Sequence, residues 1–457
     1  MYTVQPIDTS TLGDRSYLVH DGTTALVVDP QRDIDRVLEA AREAGVRIGH
    51  VFETHIHNDY VTGGHALAQE TGAAYHVNAE DPVDFERMPV SDGEIVDVSP
   101  VLAVRAIATP GHTHTHLSYE LRADGRPVGV FTGGSLLFGS TGRPDLLGPE
   151  HTDTLVRAQY RSAHRLAGEI PEDAEIFPTH GFGSFCSSTQ AEGVSSTIAH
   201  EKRVNPVLTS SEADFVADLL AGLDAYPAYY AHMAPANLAG PGAPDLTPPE
   251  PADPAELRSR IEAGEWVVDL RSRTAFAAGH LPGSLSFGLD GSFATYLGWI
   301  IPWGTPLTLL GETPEQIEEA QRELARIGID RSAGGATGTP EEWTGGRPPG
   351  VLPTASFGDL VEARTEGRDE GMVVLDVRRD LEWSESHLLG AVHIPLHQLL
   401  RRMDEVPPGR VWVHCGSGYR ATAAASLLAA NGRDVVAVND EFANAAQAGA
   451  VLESAAA

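Results

Sequence analysis

The stretch Glu53-Thr-His-Ile-His-Asn-Asp-Tyr60 comes directly after the apolar pair Val51-Phe52. A short apolar run that ends in polar residues is typical of a buried strand entering a loop at a sheet edge. His55 and His57 are two residues apart, so on an extended turn both side chains point the same way. They can therefore bind one metal ion through imidazole nitrogens. The stretch predicts a metal-binding loop at a strand end.

Two more histidines occur at the same kind of position. Thr109-Pro-Gly-His112 follows the apolar run 101–109, and Phe177-Pro-Thr-His180 repeats the arrangement. A lone histidine is usually a satisfied core or surface residue, but four on strand-end loops indicate a metal site. His114 and His116 lie close by and fit a plain strand alternation. Around them, β-branched apolar runs alternate with helical patterns such as 34–44, which predicts an α/β domain.

The second half of the chain contains an internal repeat. Trp266-Val-Val-Asp-Leu-Arg271 is echoed by Val373-Val-Leu-Asp-Val-Arg378. Five positions of the first copy match the second at one offset of 107 residues: Asp269, Arg271, Phe276, His280 and Gly283 correspond to Asp376, Arg378, Trp383, His387 and Gly390. A fixed offset over five positions predicts two related α/β units.

Only the second copy carries a candidate nucleophile. Val411-Trp-Val-His-Cys415 reads as a buried strand, Gly416-Ser-Gly-Tyr-Arg420 as a loop, and the alanine-rich segment that follows as a helix. A cysteine between a strand end and a helix N-terminus lies among convergent backbone N–H groups, which favour a thiolate and can cradle an anion. We expect Cys415 and Arg420 to be catalytic, and the anion to be held by the loop residues Gly416, Ser417, Gly418 and Tyr419. The first copy reads Leu307-Thr-Leu-Leu-Gly-Glu312 at this point and has no cysteine.

Composition excludes several classes of protein. The chain has 457 residues and a formal charge of −32, which argues against nucleic-acid or anionic-membrane binding. Its two cysteines cannot form a disulfide framework. No apolar run approaches the ~20 residues that a membrane helix needs, and no signal peptide is evident, so we expect a cytoplasmic protein.

The predicted organisation has three domains. A first domain covers 1–210, and a proline-rich connector covers 211–254. The first repeat unit is expected at 255–332, a Gly/Pro-rich linker at 333–353, and the second unit, with Cys415, at 354–457. The sequence leaves the oligomeric state open, with a homodimer as one expectation.

The first domain resembles the metallo-β-lactamase fold, whose signature is H-x-H-x-D-H. Its T-P-G-H-T and G-R-P-D-L motifs resemble the persulfide dioxygenase branch of that family. The resemblance implies an αββα sandwich and one non-haem Fe(II) held by two histidines, at His55 and His112, and an aspartate. Asp59 and His180 match positions of a second metal site or of groups that support the ligands.

Two positions depart from that pattern. Tyr60 stands where the signature ends in histidine, which weakens a second metal site. Gly134 stands where the family has the ligand aspartate, so the 2-His-1-carboxylate set is incomplete. His57 could complete a three-histidine set with His55 and His112, which suits Zn(II). Iron, zinc and a metal-free domain therefore all remain open.

Two further residues of the first domain allow alternative interpretations. Arg143, in Gly-Arg-Pro-Asp145, could hold an anionic thiol substrate such as a glutathione carboxylate. A network between Arg143 and Asp145 that fixes the loop is an equally good interpretation. Cys186 has no basic neighbour in sequence and is expected to be a buried packing residue.

The repeat units resemble rhodanese domains. Asp376-Val-Arg378, His387 and Gly390-Ala-Val-His-Ile-Pro395 match the rhodanese pattern, with Ser386 in place of a usual glycine. The resemblance implies an α/β fold, a sulfur-accepting Cys415, and Asp376 and Arg378 that fix the fold. The cysteine-free first copy resembles the inactive module of tandem rhodaneses, and we expect it to serve packing or docking.

The sequence therefore predicts a metallo-β-lactamase αββα sandwich followed by two rhodanese-like α/β domains. The favoured function is an enzyme that acts on glutathione persulfide or another low-molecular-weight thiol persulfide, as a persulfide dioxygenase does, coupled to sulfur transfer through Cys415. Thiosulfate is a further expected donor. One alternative is a sulfurtransferase whose first domain lacks oxygenase chemistry, and a less favoured one is a thioester hydrolase resembling glyoxalase II. A purely binding or sensing assembly is disfavoured by the intact Cys415 loop.

Overall fold

The chain divides into two units in the computed structural model, which describes residues 1–188, 193–367 and 371–454. The first unit comprises Met1–Asp245 and Ala325–Gly328, and the second comprises Leu246–Leu324 and Ile329–Ala457. None of the helices in these described ranges has the length and apolar character needed to cross a bilayer.

The first unit is built on two six-stranded sheets. Its strands are β1 (Thr3–Thr9), β2 (Asp14–His20), β3 (Thr24–Val28), β4 (Arg47–Phe52), β5 (Ala74–Asn78), β6 (Met88–Val90), β7 (Ile95–Asp97), β8 (Leu102–Ala108), β9 (Leu117–Ala123), β10 (Arg126–Gly133), β11 (Glu175–Pro178) and β12 (Ser196–Thr197). Its helices are α1 (Asp35–Ala44), α2 (Gly64–Thr71), α3 (Pro149–Glu169), α4 (Ile198–Val204), α5 (Pro206–Thr209), α6 (Glu212–Ala221) and α7 (Tyr230–Leu238). The sheet orders are β1-β2-β3-β4-β5-β6 and β12-β11-β10-β9-β8-β7.

Apolar side chains explain why these layers stack as helix, sheet, sheet and helix. Phe52 of the first sheet and Tyr119 and Phe131 of the second share one buried cluster between the sheets. Side chains on the outer faces pack against helices α1 and α2 on one side and α3 on the other. Alternation along each strand thus buries both faces. The predicted αββα sandwich is confirmed.

The strand ends position the candidate site. Strands β3, β4 and β5 run parallel, so the loops after Val28 and Phe52 leave the same edge of the first sheet. Strands β10 and β11 are also parallel, and the segments after Gly133 and Pro178 leave the second sheet together. The loop that follows β8 carries His112. Residues far apart in sequence therefore meet at one end of the sandwich.

The second unit contains two parallel sheets of similar order. Its strands are β13 (Trp266–Asp269), β14 (Leu285–Ser286), β15 (Leu307–Gly311), β16 (Gly334–Thr337), β17 (Thr354–Ala355), β18 (Met372–Asp376), β19 (His387–Leu388), β20 (Val392–His393), β21 (Arg410–His414), β22 (Val435–Val438) and β23 (Leu452–Glu453). Its α-helices are α8 (Pro254–Glu262), α9 (Arg273–Ala278), α10 (Phe293–Ile300), α11 (Pro314–Arg326), α12 (Pro340–Trp343), α13 (Phe357–Thr365), α14 (Asp380–Glu385), α15 (Tyr419–Ala430) and α16 (Ala443–Gln447). Two 3-10 helices span Leu396–Gln398 and Met403–Glu405.

Strand order shows that the two sheets are copies of one fold. The first sheet runs β14-β13-β15-β16, and the second runs β17-β22-β21-β18-β20, which contains the same order plus an edge strand. Strands β19 and β23 form a separate two-stranded sheet. The predicted internal repeat is therefore a structural repeat.

Matching contacts at the 107-residue offset confirm this. Arg271 clamps Asp269 with bonds of 3.0 and 2.6 Å. Arg378 clamps Asp376 at 3.0 and 2.6 Å. Each arginine also donates a hydrogen bond of 2.7 Å to the backbone carbonyl eight residues later in the chain. Arg271 donates to Gly279, and Arg378 donates to Ser386. These fully buried pairs brace the turn after the central strand in both copies.

Candidate functional site

A buried carboxylate organises the histidine loop of the first unit. Asp29 follows β3 and accepts hydrogen bonds from the Thr54 backbone N–H and from the Thr54 hydroxyl, both at 2.7 Å. The Thr179 hydroxyl, beside His180, donates to the same carboxylate. Three strand ends are thus tied together. Asp29 adopts a φ of 50°, a conformation that few residues other than glycine take up.

Three buried imidazoles converge at this edge. One ring nitrogen each from His55, His112 and His180 lies within 4.8 Å of the other two. The Nε2 atoms of His55 and His180 are 3.4 Å apart. The three rings come from the ends of β4, β8 and β11, as the sequence predicts for strand-end loops. Within the residues that the structure describes, His112 Nε2 has no hydrogen-bond partner although it is buried.

His57 is held by a different set of groups. Its Nε2 lies 2.9 Å from the Tyr60 hydroxyl, 3.2 Å from Glu53 Oε2 and 3.3 Å from Asp29 Oδ1. Burial lowers the pKa of His57, but Asp29 and Glu53 outweigh this and raise it to about 9. His57 therefore groups with Asp29 and Glu53, and also with Asp59 and His180 as a second set of donor atoms.

Asp59 lies beside His180. The Nδ1 of His180 is 2.9 Å from Asp14 Oδ1 and 3.2 Å from Asp59 Oδ2, so this nitrogen carries a hydrogen between two carboxylates. Burial, with the negative charge of Asp59, raises the pKa of Asp14 to about 7. The pKa of Asp59 is lowered instead, because the neighbouring His180 outweighs burial. The two carboxylates share one imidazole between them.

The environment of Gly134 differs from that of a ligand position. A Cβ built on Gly134 would lie 2.3 Å from His112 Cδ2, a distance that real Cβ atoms do not show. A Cβ on Gly142 would lie 2.7 Å from His112 Nδ1. The His112 ring is therefore seated between two glycines. His116 also contacts this segment, because its Nε2 accepts a hydrogen bond of 3.1 Å from the Gly134 backbone N–H.

Arg143 is bound by protein groups. Its guanidinium makes two bonds to Asp145, at 2.7 and 2.8 Å, and one of 2.6 Å to the Asp224 carbonyl. It also stacks on Tyr226 with 4.8 Å between the guanidinium carbon and the ring centre. The backbone carbonyl of Arg143 accepts a hydrogen bond of 2.8 Å from His112 Nδ1. These contacts form the network that fixes the loop, rather than leaving the guanidinium open to a substrate anion. The same segment orients His112 through the Arg143 carbonyl.

Cys186 is fully buried in the first unit. Burial, together with the charges of Asp59 and Asp14, raises the pKa of the thiol well above its ordinary range. A neutral, enclosed thiol packs as a small apolar side chain. The packing role expected from the sequence agrees with this environment.

Cys415 lies at the end of β21, where the chain turns into α15. The backbone N–H of Gly418 points at Cys415 Sγ with 3.1 Å between nitrogen and sulfur. Gly418 has a φ of 101°, and a Cβ there would lie 2.4 Å from Asn439 Oδ1, so the turn requires glycine. The sulfur therefore lies at the N-terminus of a 12-residue helix, where the partial positive charge of the helix attracts anionic groups.

Arg420 pairs with a carboxylate beside the loop. Its two terminal nitrogens lie 2.6 and 2.7 Å from the oxygens of Glu382, which belongs to α14. Although burial opposes ionisation, Arg420 outweighs it and lowers the pKa of Glu382 to about 2. The guanidinium charge near the sulfur is thus balanced. In this arrangement Arg420 braces the loop against α14.

The cysteine-free copy packs directly on this loop. The Tyr419 hydroxyl donates a hydrogen bond of 2.9 Å to the backbone carbonyl of Gly288, which belongs to the first copy. A Cβ on Gly291 would lie 2.5 Å from the Tyr419 ring. The ring centre of Tyr296, from α10, lies 5.8 Å from that of Tyr419. Tyr419 thus serves an interface between the two copies, and Gly416 and Ser417 complete the turn beside Gly418.

The structure also identifies site residues that the sequence reasoning missed. Asp14, Asp29, Glu53 and Asn237 all hold the histidine loops in place. The side-chain amide of Asn237, from α7, donates hydrogen bonds of 2.9 Å to the backbone carbonyls of both His57 and Tyr60. It lies in the segment that the sequence interprets as a connector. Of these four residues, only Glu53 carried a signal in the sequence, because it comes directly after the apolar pair Val51-Phe52.

Comparison with known proteins defines the class. Residues 13–180 match the family model of the metallo-beta-lactamase superfamily, and residues 253–331 and 359–447 match the rhodanese-like domain. The chain belongs to the metallo-β-lactamase superfamily through its first domain, which is followed by two rhodanese-like domains.

Individual relatives give more detail. A human protein named persulfide dioxygenase ETHE1, mitochondrial, is 27% identical over 206 residues, which are 45% of this chain and 72% of that protein. A hydroxyacylglutathione hydrolase from Gloeobacter violaceus is 30% identical over 207 residues, 40% of this chain and 79% of that protein. A hydroxyacylglutathione hydrolase from Polaromonas is 29% identical over 161 residues, and the match spans 57% of that protein.

One solved structure matches most of the chain. It is described as a metallo-beta-lactamase from Staphylococcus aureus and superposes with a TM-score of 0.65 at 26% identity. The match covers 74% of this chain and 99% of the other. These matches support a sulfur-related enzyme of the metallo-β-lactamase fold.

Proposed function

We propose that this protein is a sulfurtransferase that takes sulfane sulfur from low-molecular-weight thiol persulfides onto Cys415. The observation that carries the proposal is the contact of 3.1 Å between the Gly418 N–H and Cys415 Sγ at the start of α15. This N–H and the helix terminus stabilise negative charge at the sulfur position, including that of a persulfide formed on the same residue by transfer.

The transfer step needs no oxidant. The Cys415 thiolate attacks the outer sulfur of the donor R–S–SH, a new S–S bond forms on Cys415, and the S–S bond of the donor breaks. The bond electrons leave with R–S⁻, and the proton stays on the terminal sulfur. An anionic acceptor then attacks that terminal sulfur and takes it, and the Cys415 thiolate returns. Thiosulfate enters in the same way, with sulfite as the leaving group.

The first domain is proposed to bind the thiol persulfide at the histidine cluster. The similarity to a protein named persulfide dioxygenase supports this substrate class. A metal held there would polarise the bound sulfur group. His112 is oriented by the Arg143 carbonyl, and His180 by Asp14 and Asp59. The chain's own residues thus fix the rings before any substrate binds.

A second candidate is full persulfide dioxygenase activity in the first domain. It is favoured by the 206-residue match to the human protein of that name. It is disfavoured by Gly134, because oxygen-activating Fe(II) sites use two histidines and a carboxylate. The similarity to hydroxyacylglutathione hydrolases favours a third candidate, a thioester hydrolase, since a site of histidines can hold a metal that activates water.

Enzyme assays on the full chain separate these candidates. We expect transfer of sulfur from thiosulfate or glutathione persulfide to cyanide, lost in Cys415→Ser and kept in Cys186→Ser. Unchanged transfer in Cys415→Ser would contradict the proposed function. Oxygen uptake that depends on glutathione persulfide and on stoichiometric iron would establish the dioxygenase, and hydrolysis of a glutathione thioester would establish the hydrolase.

A further inference from the structure

An ion pair lies against the loop that carries Cys415. The two terminal nitrogens of Arg420 lie 2.6 and 2.7 Å from the two oxygens of Glu382, so the guanidinium and the carboxylate meet edge to edge. A Cβ built on Gly416 would lie 3.1 Å from a terminal nitrogen of Arg420 and 3.7 Å from Glu382 Oε1. Both charges are therefore in contact range of the residue that directly follows Cys415.

The backbone of α14 holds the carboxylate in place. Glu382 lies in the first turn of this helix, and its Oε2 accepts a hydrogen bond of 3.1 Å from the Arg379 backbone N–H. The side chain of Arg420 is only 13% exposed, and that of Glu382 is 26% exposed. To bind a substrate anion instead, Arg420 would have to break two charge-assisted hydrogen bonds at a partly buried position.

The pair leaves little net charge beside the sulfur. Glu382 stays ionised at neutral pH, because Arg420 outweighs burial and lowers the pKa of Glu382 to about 2. Arg379 brings a second guanidinium to 3.4 Å from Glu382 Oε2, but its side chain is 35% exposed, so water and salt screen its charge. The Gly418 N–H, directed at Cys415 Sγ, supplies a dipole rather than a full charge.

The two classes of sulfur donor differ in how much charge they bring to this loop. When the Cys415 thiolate attacks thiosulfate, the S–S bond of the donor breaks and sulfite leaves with its electrons, so three negative charges share the loop throughout. With R–S–SH there is one negative charge, which moves from Cys415 to the leaving R–S⁻. The ionised groups of R, as in glutathione, lie several bonds from the reacting sulfur. A loop with little net positive charge therefore disfavours thiosulfate more than the persulfide.

We infer, building on the proposed function, that Glu382 makes the Cys415 site selective for thiol persulfides over thiosulfate by neutralising Arg420 beside the loop. A free arginine fork binds oxyanions well, but a fork that a carboxylate already fills is closed to the sulfonate group of thiosulfate. Glu382 is thus a positioning residue that acts through Arg420.

Loading rates of Cys415 test this selectivity in the full chain. The sulfur added by thiosulfate or by glutathione persulfide is followed by quenching and mass spectrometry. Glu382→Gln should raise the rate with thiosulfate, relative to the rate with glutathione persulfide, by about tenfold or more. Because the ratio compares two donors in one variant, a variant that is merely less stable lowers both rates and leaves the ratio unchanged.

Matched variants control for charge and side-chain loss. Glu385→Gln removes the same charge from an exposed position of the same helix and should change the ratio by less than about twofold. Glu382→Asp keeps the carboxylate and should keep the ratio closer to that of the unaltered chain than Glu382→Gln does.

Alkylation of Cys415 gives a readout that needs no sulfur transfer. Iodoacetate and iodoacetamide attack the same sulfur and differ by one negative charge. The rate of iodoacetate relative to iodoacetamide should rise about tenfold or more in Glu382→Gln. It should return towards the unaltered value in Glu382→Gln/Arg420→Gln, where both charges are gone. Sulfate, compared with sodium chloride at equal ionic strength, should protect Cys415 from iodoacetamide in Glu382→Gln but not in the unaltered chain.

Each outcome decides one of the two proposals. Unchanged donor and alkylation ratios in Glu382→Gln would overturn the selectivity, and so would equal changes in Glu385→Gln. Protection of the unaltered chain by sulfate would overturn it without any variant, should circular dichroism show that Glu382→Gln is unfolded. If neither donor loads Cys415 while the alkylation ratio shifts as expected, the proposed sulfur transfer fails and the neutralisation of Arg420 stands. A Cys415 that reacts with neither reagent would contradict both, since donors could not reach it either.

Discussion

The imidazole of His112 occupies the space that any side chain at position 134 would need. A Cβ on Gly134 would lie 2.3, 2.6 and 2.9 Å from three atoms of that ring. Overlaps of this size cannot be relieved without moving the ring, and the ring is fixed by the Arg143 carbonyl and by Gly142. The glycine and the orientation of His112 therefore depend on each other.

Restoring the aspartate of the related family should harm this site. Gly134→Asp is expected to destabilise the first unit by about 1–3 kcal/mol through overpacking, and to weaken the binding of a metal ion by displacing the His112 ring. Gly168→Ala, on α3 and with open space around its Cβ, is the matched control and should not lower stability. Urea unfolding and metal analysis measure both effects. A Gly134→Asp variant of unchanged stability that gains stoichiometric Fe²⁺ would contradict the account.

Asn237 should be needed to hold the loop that carries His57. Asn237→Ala removes donors to two buried carbonyls and the acceptor of the Thr62 N–H, at 2.9 Å each. Because buried groups left unsatisfied cost about 1–3 kcal/mol each, we expect a loss of about 2–4 kcal/mol in the free energy of unfolding. Gln69→Ala, on exposed helix surface, should change it by less than about 0.5 kcal/mol. Equal losses in the two variants would show that the Asn237 bonds do not stabilise the loop.

The cysteine-free copy should affect the rate at Cys415. Gly291→Leu would push a side chain into the Tyr419 ring, 2.5 Å from the Cβ position, and displace the loop that holds the sulfur. Misplacement of a reacting group by about 1 Å lowers rates on the order of 100-fold, so we expect sulfur transfer to fall at least tenfold. Gly279→Ala in the same copy, whose Cβ meets only Pro349 at 3.8 Å, is the control. Full activity in Gly291→Leu would mean that the first copy does not support the loop.

The ion pair between Glu382 and Arg420 should make stability depend on pH. The pKa of Glu382 falls from 4.5 to about 2 in the folded chain, because Arg420 outweighs burial. The pair therefore stabilises the fold fully above about pH 4.5 and loses this contribution as the pH falls towards 2, a difference of about 2–3 kcal/mol. The gap in unfolding free energy between the unaltered chain and Glu382→Gln should narrow over that range. A gap that stays constant from pH 6 to pH 3 would contradict this.

The repeat was predictable from sequence because it rests on short-range contacts. Arg271 and Arg378 each bind an aspartate two residues away, so the pattern D-x-R is visible in the chain itself. The same holds for Gly418 and Cys415, which lie three residues apart within one turn.

The histidine cluster was only partly predictable. Strand-end loops indicated that His55, His112 and His180 would meet. Sequence spacing could not show that His57 turns to Asp29, since that contact joins two strand ends of one sheet. Nor could it show that Gly134 faces His112 across 22 positions of sequence. Such contacts depend on how loops pack, and the sequence carries no periodic signal for them.

The most direct test of the account is the mass of the peptide that contains Cys415. The full chain is incubated with glutathione persulfide, alkylated, digested and measured by mass spectrometry. We predict one added sulfur atom on Cys415, removed by cyanide, and none on Cys186, because burial and the nearby carboxylates raise the pKa of the Cys186 thiol. A chain that acquires no sulfur on Cys415, or acquires it on Cys186 instead, would contradict the proposed function.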